Sequence, residues 1–162
     1  MNRQFPGPLP RRPSGTDAPQ ATGTTPPAMT AALRCWSDTA RQVRGTLNDL
    51  SPAVRGSCAE RPDAAAIDRA LDAAIVEITG GLTRFGDALT RLANEAHTPD
   101  AAAVGLRALL NDASATLPPQ DLLQLMDRNG FIECSLQETL TQALGRLERL
   151  SQPVAPQRKA SP

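Results

Sequence analysis

Residues 33–50 read LRCWSDTARQVRGTLNDL, and apolar side chains recur in this segment at alternating steps of three and four. The apolar positions are Leu33, Trp36, Ala40, Val43, Leu47 and Leu50. This spacing places the side chains in one narrow stripe along an α-helix, as in coiled coils and helical bundles. It predicts a first helix over residues 29–50, with Thr30 as the N-cap and a stop at Ser51-Pro52, where another short helix can start.

A second segment with the same kind of spacing extends from about residue 63 to residue 96. Its apolar positions are Ile67, Leu71, Ala74, Ile78, Leu82, Phe85, Leu89, Leu92 and Ala96. Two adjacent glycines, Gly80 and Gly81, interrupt the segment, and each costs about 1 kcal/mol relative to alanine inside a helix. The pair predicts a kink at this point, a break into two helices, or a place where another helix packs closely.

Capping signals mark the start of two further helices. Thr98 precedes Pro99, and proline suits the first turn of a helix because its nitrogen has no hydrogen to leave unpaired there. Ser135 is followed three residues later by Glu138, which is the pattern of a capping box. The third helix is therefore expected to begin after Thr98 and the fourth after Ser135.

The connections between these helices are short, which indicates antiparallel packing of neighbours. The third helix is expected to stop at Pro118-Pro119, and a short helix is expected over residues 120–128. Four main helices and one or two short ones predict an all-α fold, a small antiparallel helical bundle over residues 29–150. Residues 1–28 and 151–162 are rich in Pro, Ser and Thr and lack apolar periodicity, which predicts two disordered tails.

The composition also favours helices. Aromatic residues make up only 2% of the chain and Tyr is absent, so the core must be built from Leu, Ala, Val and Ile. Sheets are usually enriched in aromatic and β-branched residues. Sixteen of the 17 basic residues are Arg, and this bias, together with abundant Ala, Gly and Pro, follows from GC-rich codons. A bacterial source is therefore expected.

The charges are balanced overall but unevenly distributed. The chain has 17 basic and 17 acidic residues. Residues 1–30 carry a net charge of +2 and residues 151–162 also carry +2, which leaves −4 for residues 31–150. Two or three charges per tail are too few to predict nucleic-acid binding, because that affinity scales with the number of phosphates contacted.

The sequence gives no sign of a membrane span or a disulfide framework. No apolar run approaches the roughly 20 residues that cross a bilayer, and residues 1–12 lack the continuous apolar segment of a secretory signal. The three cysteines, Cys35, Cys58 and Cys134, lie far apart, which does not suggest paired cysteines. A cytoplasmic location is expected, with export by a non-classical route as the alternative.

Few residues could carry chemistry. His97 is the only histidine, and its place at the end of the second helix suits the helix dipole better than a catalytic role. Cys58 lies near Arg55 and Arg61, whose charges would lower the pKa of a thiol, but an unremarkable loop cysteine is the favoured interpretation. We therefore predict no enzyme, no cofactor and no metal site.

The heptad stripes suggest a function in protein binding. We predict a non-catalytic helical interaction module, such as an adaptor, chaperone-like or regulatory protein, that binds a protein partner or a second copy through its helix faces. Trp36, Val43 and Leu47 are the candidate partner-binding residues, although a core position is the favoured interpretation of Trp36 itself. No small-molecule substrate is evident. The alternative is an exported bacterial secretion substrate or effector, with residues 1–28 as an unfolded export segment.

Overall fold

The computed structural model describes residues 24–113, 117–118, 120, 123 and 135–152, and this part of the chain contains four main α-helices and no strand. We number the helices α1 to α4 in chain order. They span Pro27–Cys58 (α1), Ala64–Glu95 (α2), Pro99–Asn111 (α3) and Leu136–Leu150 (α4). The predicted all-α class is confirmed. Most of the short helix expected over residues 120–128, and nearly all of both tails, lie outside the described residues.

The four helices form an antiparallel bundle. Helix α1 packs on α2 and α4, and α3 packs on the same two helices and also contacts α1. Early residues of α1 contact late residues of α2, and late residues of α1 contact early ones. Trp36 contacts Phe85, whereas Arg55 contacts Asp68. The five-residue connection between them, residues 59–63, requires this antiparallel arrangement.

The heptad stripes form the core of the bundle. The largest fully buried side chains come from all four helices and include Phe85, Met29, Leu47, Ile78, Leu82, Leu89, Leu106, Leu136 and Leu147. Each such aliphatic or aromatic side chain contributes about 1.5–3 kcal/mol when it leaves water. No helix within the described ranges is long and apolar enough to cross a membrane.

Helix α1 continues through Pro52, so the predicted stop at Ser51-Pro52 is wrong. Proline inside a helix costs about 3 kcal/mol, but contacts with α2 hold the last two turns of α1 in place. The Arg55 guanidinium hydrogen bonds to Asp72 and lies 3.7 Å from Asp68, and its Nε donates to Ser51 at 3.2 Å. Tertiary packing therefore outweighs the local effect of the proline.

The start of α1 also differs from the prediction. The N-cap is Pro26 rather than Thr30, and Pro27 occupies the first turn. The backbone N–H groups of Met29 and Thr30 donate to the carbonyl of Pro26 at 2.9 and 3.2 Å. Two prolines fit here because the first turn of a helix has no intrahelical acceptors for its N–H groups.

The two predicted side-chain caps are present. The hydroxyl of Thr98 accepts a hydrogen bond from the N–H of Ala101 at 3.2 Å, and the hydroxyl of Ser135 accepts one from the N–H of Glu138 at 3.2 Å. Helix α3 nevertheless ends at Asn111, before the expected stop at the prolines. Asn and Asp favour helix ends because their side chains compete for backbone hydrogen bonds.

Helix α2 is continuous through its two glycines, so no break occurs there, and close packing explains Gly81. A β-carbon added to Gly81 would lie 2.6 Å from Cδ and 2.8 Å from the backbone nitrogen of Pro118. The chain that follows α3 therefore approaches α2 directly at this position. A larger residue would push the two segments apart.

Candidate functional site

The three predicted partner-binding residues lie in the core of the bundle. Trp36, Val43 and Leu47 are 4%, 0% and 1% exposed, respectively. Their stripe on α1 packs within the bundle, where α1 contacts α2 and α4 most extensively. In the folded protein these side chains contact their own chain, so the surfaces open to a partner lie elsewhere.

Trp36 joins α1 to α2 through both its ring and its polar tip. The indole N–H donates to the backbone carbonyl of Leu82 at 3.1 Å, and the ring packs on Phe85 with centroids 4.3 Å apart and planes tilted by 45°. Gly86 makes room for the indole, since a β-carbon there would lie 3.3 Å from the ring. These contacts are those of a core residue that fixes the spacing of two helices.

The reactive residues singled out in the sequence do not come together. His97 is exposed just beyond the end of α2, and Cys58 is half-buried in the last turn of α1. The Cys58 sulfur lies 3.8 Å from the hydroxyl of Ser57. No cluster of three or more histidine, cysteine and acidic side chains able to hold a metal ion occurs among the described residues. Cys134 lies outside them.

The cations near Cys58 are paired with carboxylates. Arg55 bonds to Asp72, and Arg61 donates to both carboxylate oxygens of Asp63 at 2.9 and 3.0 Å. The hydrogen bonds from Arg61 hold the pKa of the Asp63 carboxyl below its usual value. Both arginines that neighbour Cys58 in the sequence are therefore engaged with carboxylates.

A groove of about 670 Å³ lies between α3 and α4. Both helices contribute polar side chains and half-buried leucines to it. Its lining consists of Arg107, Leu110, Asn111, Gln120, Thr141, Leu144, Gly145, Glu148, Ser151 and Gln152. The volume falls within the range of pockets that bind small molecules.

A more apolar pocket of about 290 Å³ adjoins the groove. The two share Gln120, Thr141 and Leu144. The remaining lining residues of the pocket are Ala113, Leu117, Pro118, Leu123, Gln137 and Leu140. We refer to the groove and the adjoining pocket together as the α3–α4 groove.

The α4 wall of this groove follows from the spacing of small and polar residues. Thr141, Gly145 and Glu148 recur at steps of four and three, which places them on one ridge of the helix. A β-carbon at Gly145 would meet nothing within 4 Å, so the glycine leaves the groove open at its middle. The Thr141 hydroxyl donates to the carbonyl of Gln137 at 2.8 Å and so stays close to the helix.

One end of the α3–α4 groove is held by a contact between its walls. Arg107 on α3 donates from Nη2 to the backbone carbonyl of Ser151 at 3.0 Å. Ser151 is 2% exposed, and its hydroxyl donates to the carbonyl of Glu148 at 2.6 Å. The bonds fix the point at which the chain leaves α4.

Sequence reasoning did not find this groove. Leu110 follows the buried Leu106 by four residues on α3, but Leu144 lies off the stripe that Leu136, Leu140, Ala143 and Leu147 form at alternating steps of four and three on α4. The only sign of the groove in the sequence is that Leu144 lies off the stripe, on the same face of α4 as Thr141 and Gly145. The sequence does not show that this face lies opposite α3.

Comparison with known proteins returned no match: no protein family, no curated protein and no solved structure is similar to this chain. Any inference about function therefore rests on the geometry of the molecule. The α3–α4 groove combines partly exposed apolar side chains with polar groups at its rim, which is the chemistry of protein interaction surfaces.

Proposed function

We propose that the protein is a non-catalytic helical interaction module that binds a segment of a partner protein in the α3–α4 groove. The observation that carries the proposal is the open, leucine-floored groove itself. The heptad stripes are used within the bundle, whereas Leu110 and Leu144 pack against the core and keep part of their surface exposed to the groove.

The floor and the rim of the groove suit different parts of a partner segment. Apolar side chains of the partner would cover Leu110 and Leu144, gaining about 25 cal/mol for each Å² removed from water. Arg107, Asn111 and Glu148 at the rim would bond to its backbone or polar side chains. This division between an apolar floor and a polar rim is how grooves recognise amphipathic helices and extended peptides.

Two glycine substitutions test the proposal. Gly145→Arg places a long charged side chain in the middle of the groove, and Gly56→Arg places the same side chain in the exposed last turn of α1. A β-carbon at either position meets nothing within 4 Å, so both variants should fold, and each should gain about 0.8 kcal/mol of helix propensity. We expect a tagged wild-type protein to capture a stoichiometric partner from lysate of the native cells.

The comparison between the variants decides the outcome. Gly56→Arg should retain the partner, and Gly145→Arg should lose it, with circular dichroism showing equal helix content in both. If Gly145→Arg captured the same partner as strongly as the control, the partner would bind elsewhere and the groove would not be the docking site.

A further inference from the structure

The chain leaves α4 at the wall of the α3–α4 groove. Helix α4 ends at Leu150, and the next two residues, Ser151 and Gln152, both line the groove. The bond from Arg107 to the Ser151 carbonyl holds this exit point against α3. Residues 153–162 therefore start at one end of the groove. Because they are attached there, their effective concentration at the groove is high.

We propose that residues 153–162 bind in the α3–α4 groove of their own chain and compete there with the partner segment; this inference rests on the proposed function of the groove. The segment reads PVAPQRKASP. Pro153 and Pro156 have no N–H group, so fewer backbone donors need a bonding partner when the segment is buried. Val154 and Ala155 supply compact apolar surface for the leucine floor.

The first seven residues of the segment match the length of the groove. Along α4, the distance from Gln152 back to Glu138 is about 21 Å, because a helix rises 1.5 Å per residue. A polyproline II segment rises about 3.1 Å per residue, so residue 158 lies about 19 Å and residue 159 about 22 Å from Gln152. A segment running back along α4 would bring these two residues beside Glu138.

The charges agree with this register. Glu138, Thr141, Gly145, Glu148 and Gln152 recur on α4 at steps of three and four, so Glu138 extends the ridge that forms the groove wall. Both charged residues of this ridge are acidic. Residues 158 and 159 of the segment are Arg and Lys. When the segment covers the leucines in this register, the charges of Arg158 and Lys159 lie beside Glu138.

Attachment to α4 makes even weak binding effective. A short linker gives an intramolecular ligand an effective concentration in the millimolar range. The segment would occupy the groove without needing the contact area that a separate partner requires. A partner segment would then bind only by displacing it, which makes the tail an internal competitor of the module.

Photo-crosslinking within the full-length chain tests the inference. A benzophenone amino acid replaces Gln157, which the register places about 16 Å from Gln152, beside Thr141. After illumination of the dilute monomer, mass spectrometry should find crosslinks within one chain to α3 and α4 peptides that line the groove. Crosslinks to the outer faces of α1 or α2, crosslinks only between chains, or no crosslinked peptide would overturn the proposal.

Two further variants carry the same crosslinker. Gly145→Arg should abolish the groove crosslinks, and Gly56→Arg should leave them unchanged. Reversing both charges, Arg158→Glu with Lys159→Glu, should lower the yield about twofold, because replacing the attraction to Glu138 by repulsion weakens binding of the segment about fivefold; an unchanged yield in either groove-directed variant would contradict the register. The crosslink requires no partner, so its failure is distinct from a failure to capture one.

Discussion

At the scale of single residues, glycine has opposite effects in these helices, depending on what lies beside its α-carbon. Gly45 and Gly145 have open space where a β-carbon would be, whereas at Gly81 that space is filled by Pro118. The sequence could indicate that Gly81 allows a close approach, because two adjacent glycines are costly inside a helix. It could not identify Pro118 as the neighbour, since that contact depends on how the chain returns after α3.

Two matched substitutions separate these effects. Gly45→Ala should raise the free energy of unfolding by about 1 kcal/mol, because alanine favours the helix and meets no neighbour. Gly81→Ala should lower it by about 1–3 kcal/mol, because the added carbon would overlap the ring and backbone of Pro118. Urea unfolding followed by circular dichroism measures both. A stabilised Gly81→Ala would show that Pro118 does not pack against α2 in solution.

At the scale of elements, a feature is predicted correctly from sequence when the interactions that determine it join residues close together in the chain. The caps at Thr98 and Ser135 involve N–H groups three residues away, so the local pattern was sufficient. The course of α1 beyond Pro52 depends on Arg55 meeting Asp68 and Asp72 on α2, and no local pattern contains that information. The side chains of these ion pairs are 40–61% exposed, so each adds little alone, and packing of the half-buried Val54 is needed beside them.

The proline in α1 provides a test at this scale. Pro52→Ala should raise the free energy of unfolding by about 1–3 kcal/mol, because an exposed proline inside a continuous helix removes one backbone hydrogen bond. Pro99→Ala is the control and should give no such gain, because Pro99 lies in the first turn of α3. The same urea titration compares them. Equal stabilities of Pro52→Ala and wild type would mean that α1 ends before residue 52 in solution.

At the scale of the whole molecule, the four helices form a long pair and a short pair, and the α3–α4 groove lies between the two short helices. Helices α1 and α2 have 32 residues each, whereas α3 and α4 have 13 and 15. The long pair carries the main stripes and forms most of the core, so the class of fold and the bundle could be predicted from spacing. The α3–α4 groove lies between two helices separated by residues 112–135, and its width depends on how they pack rather than on the spacing within either helix.

The competition between tail and partner predicts how the whole protein responds to charge reversal. For a tail that fills the α3–α4 groove about four-fifths of the time, only one-fifth of the molecules are open, and partner affinity is lowered about fivefold. The variant with Arg158→Glu and Lys159→Glu should therefore bind the captured partner up to about fivefold more tightly than wild type. The gain should be largest at low salt, because the attraction between the charges of the tail and Glu138 is screened as ionic strength rises. Calorimetric titration at two salt concentrations measures the affinity for the partner, with Arg11→Glu and Arg12→Glu in the other tail as the charge-matched control.

Equal affinities of the variant and wild type at low salt would show that the tail does not compete for the groove. An equal gain in the control would attribute the effect to net charge.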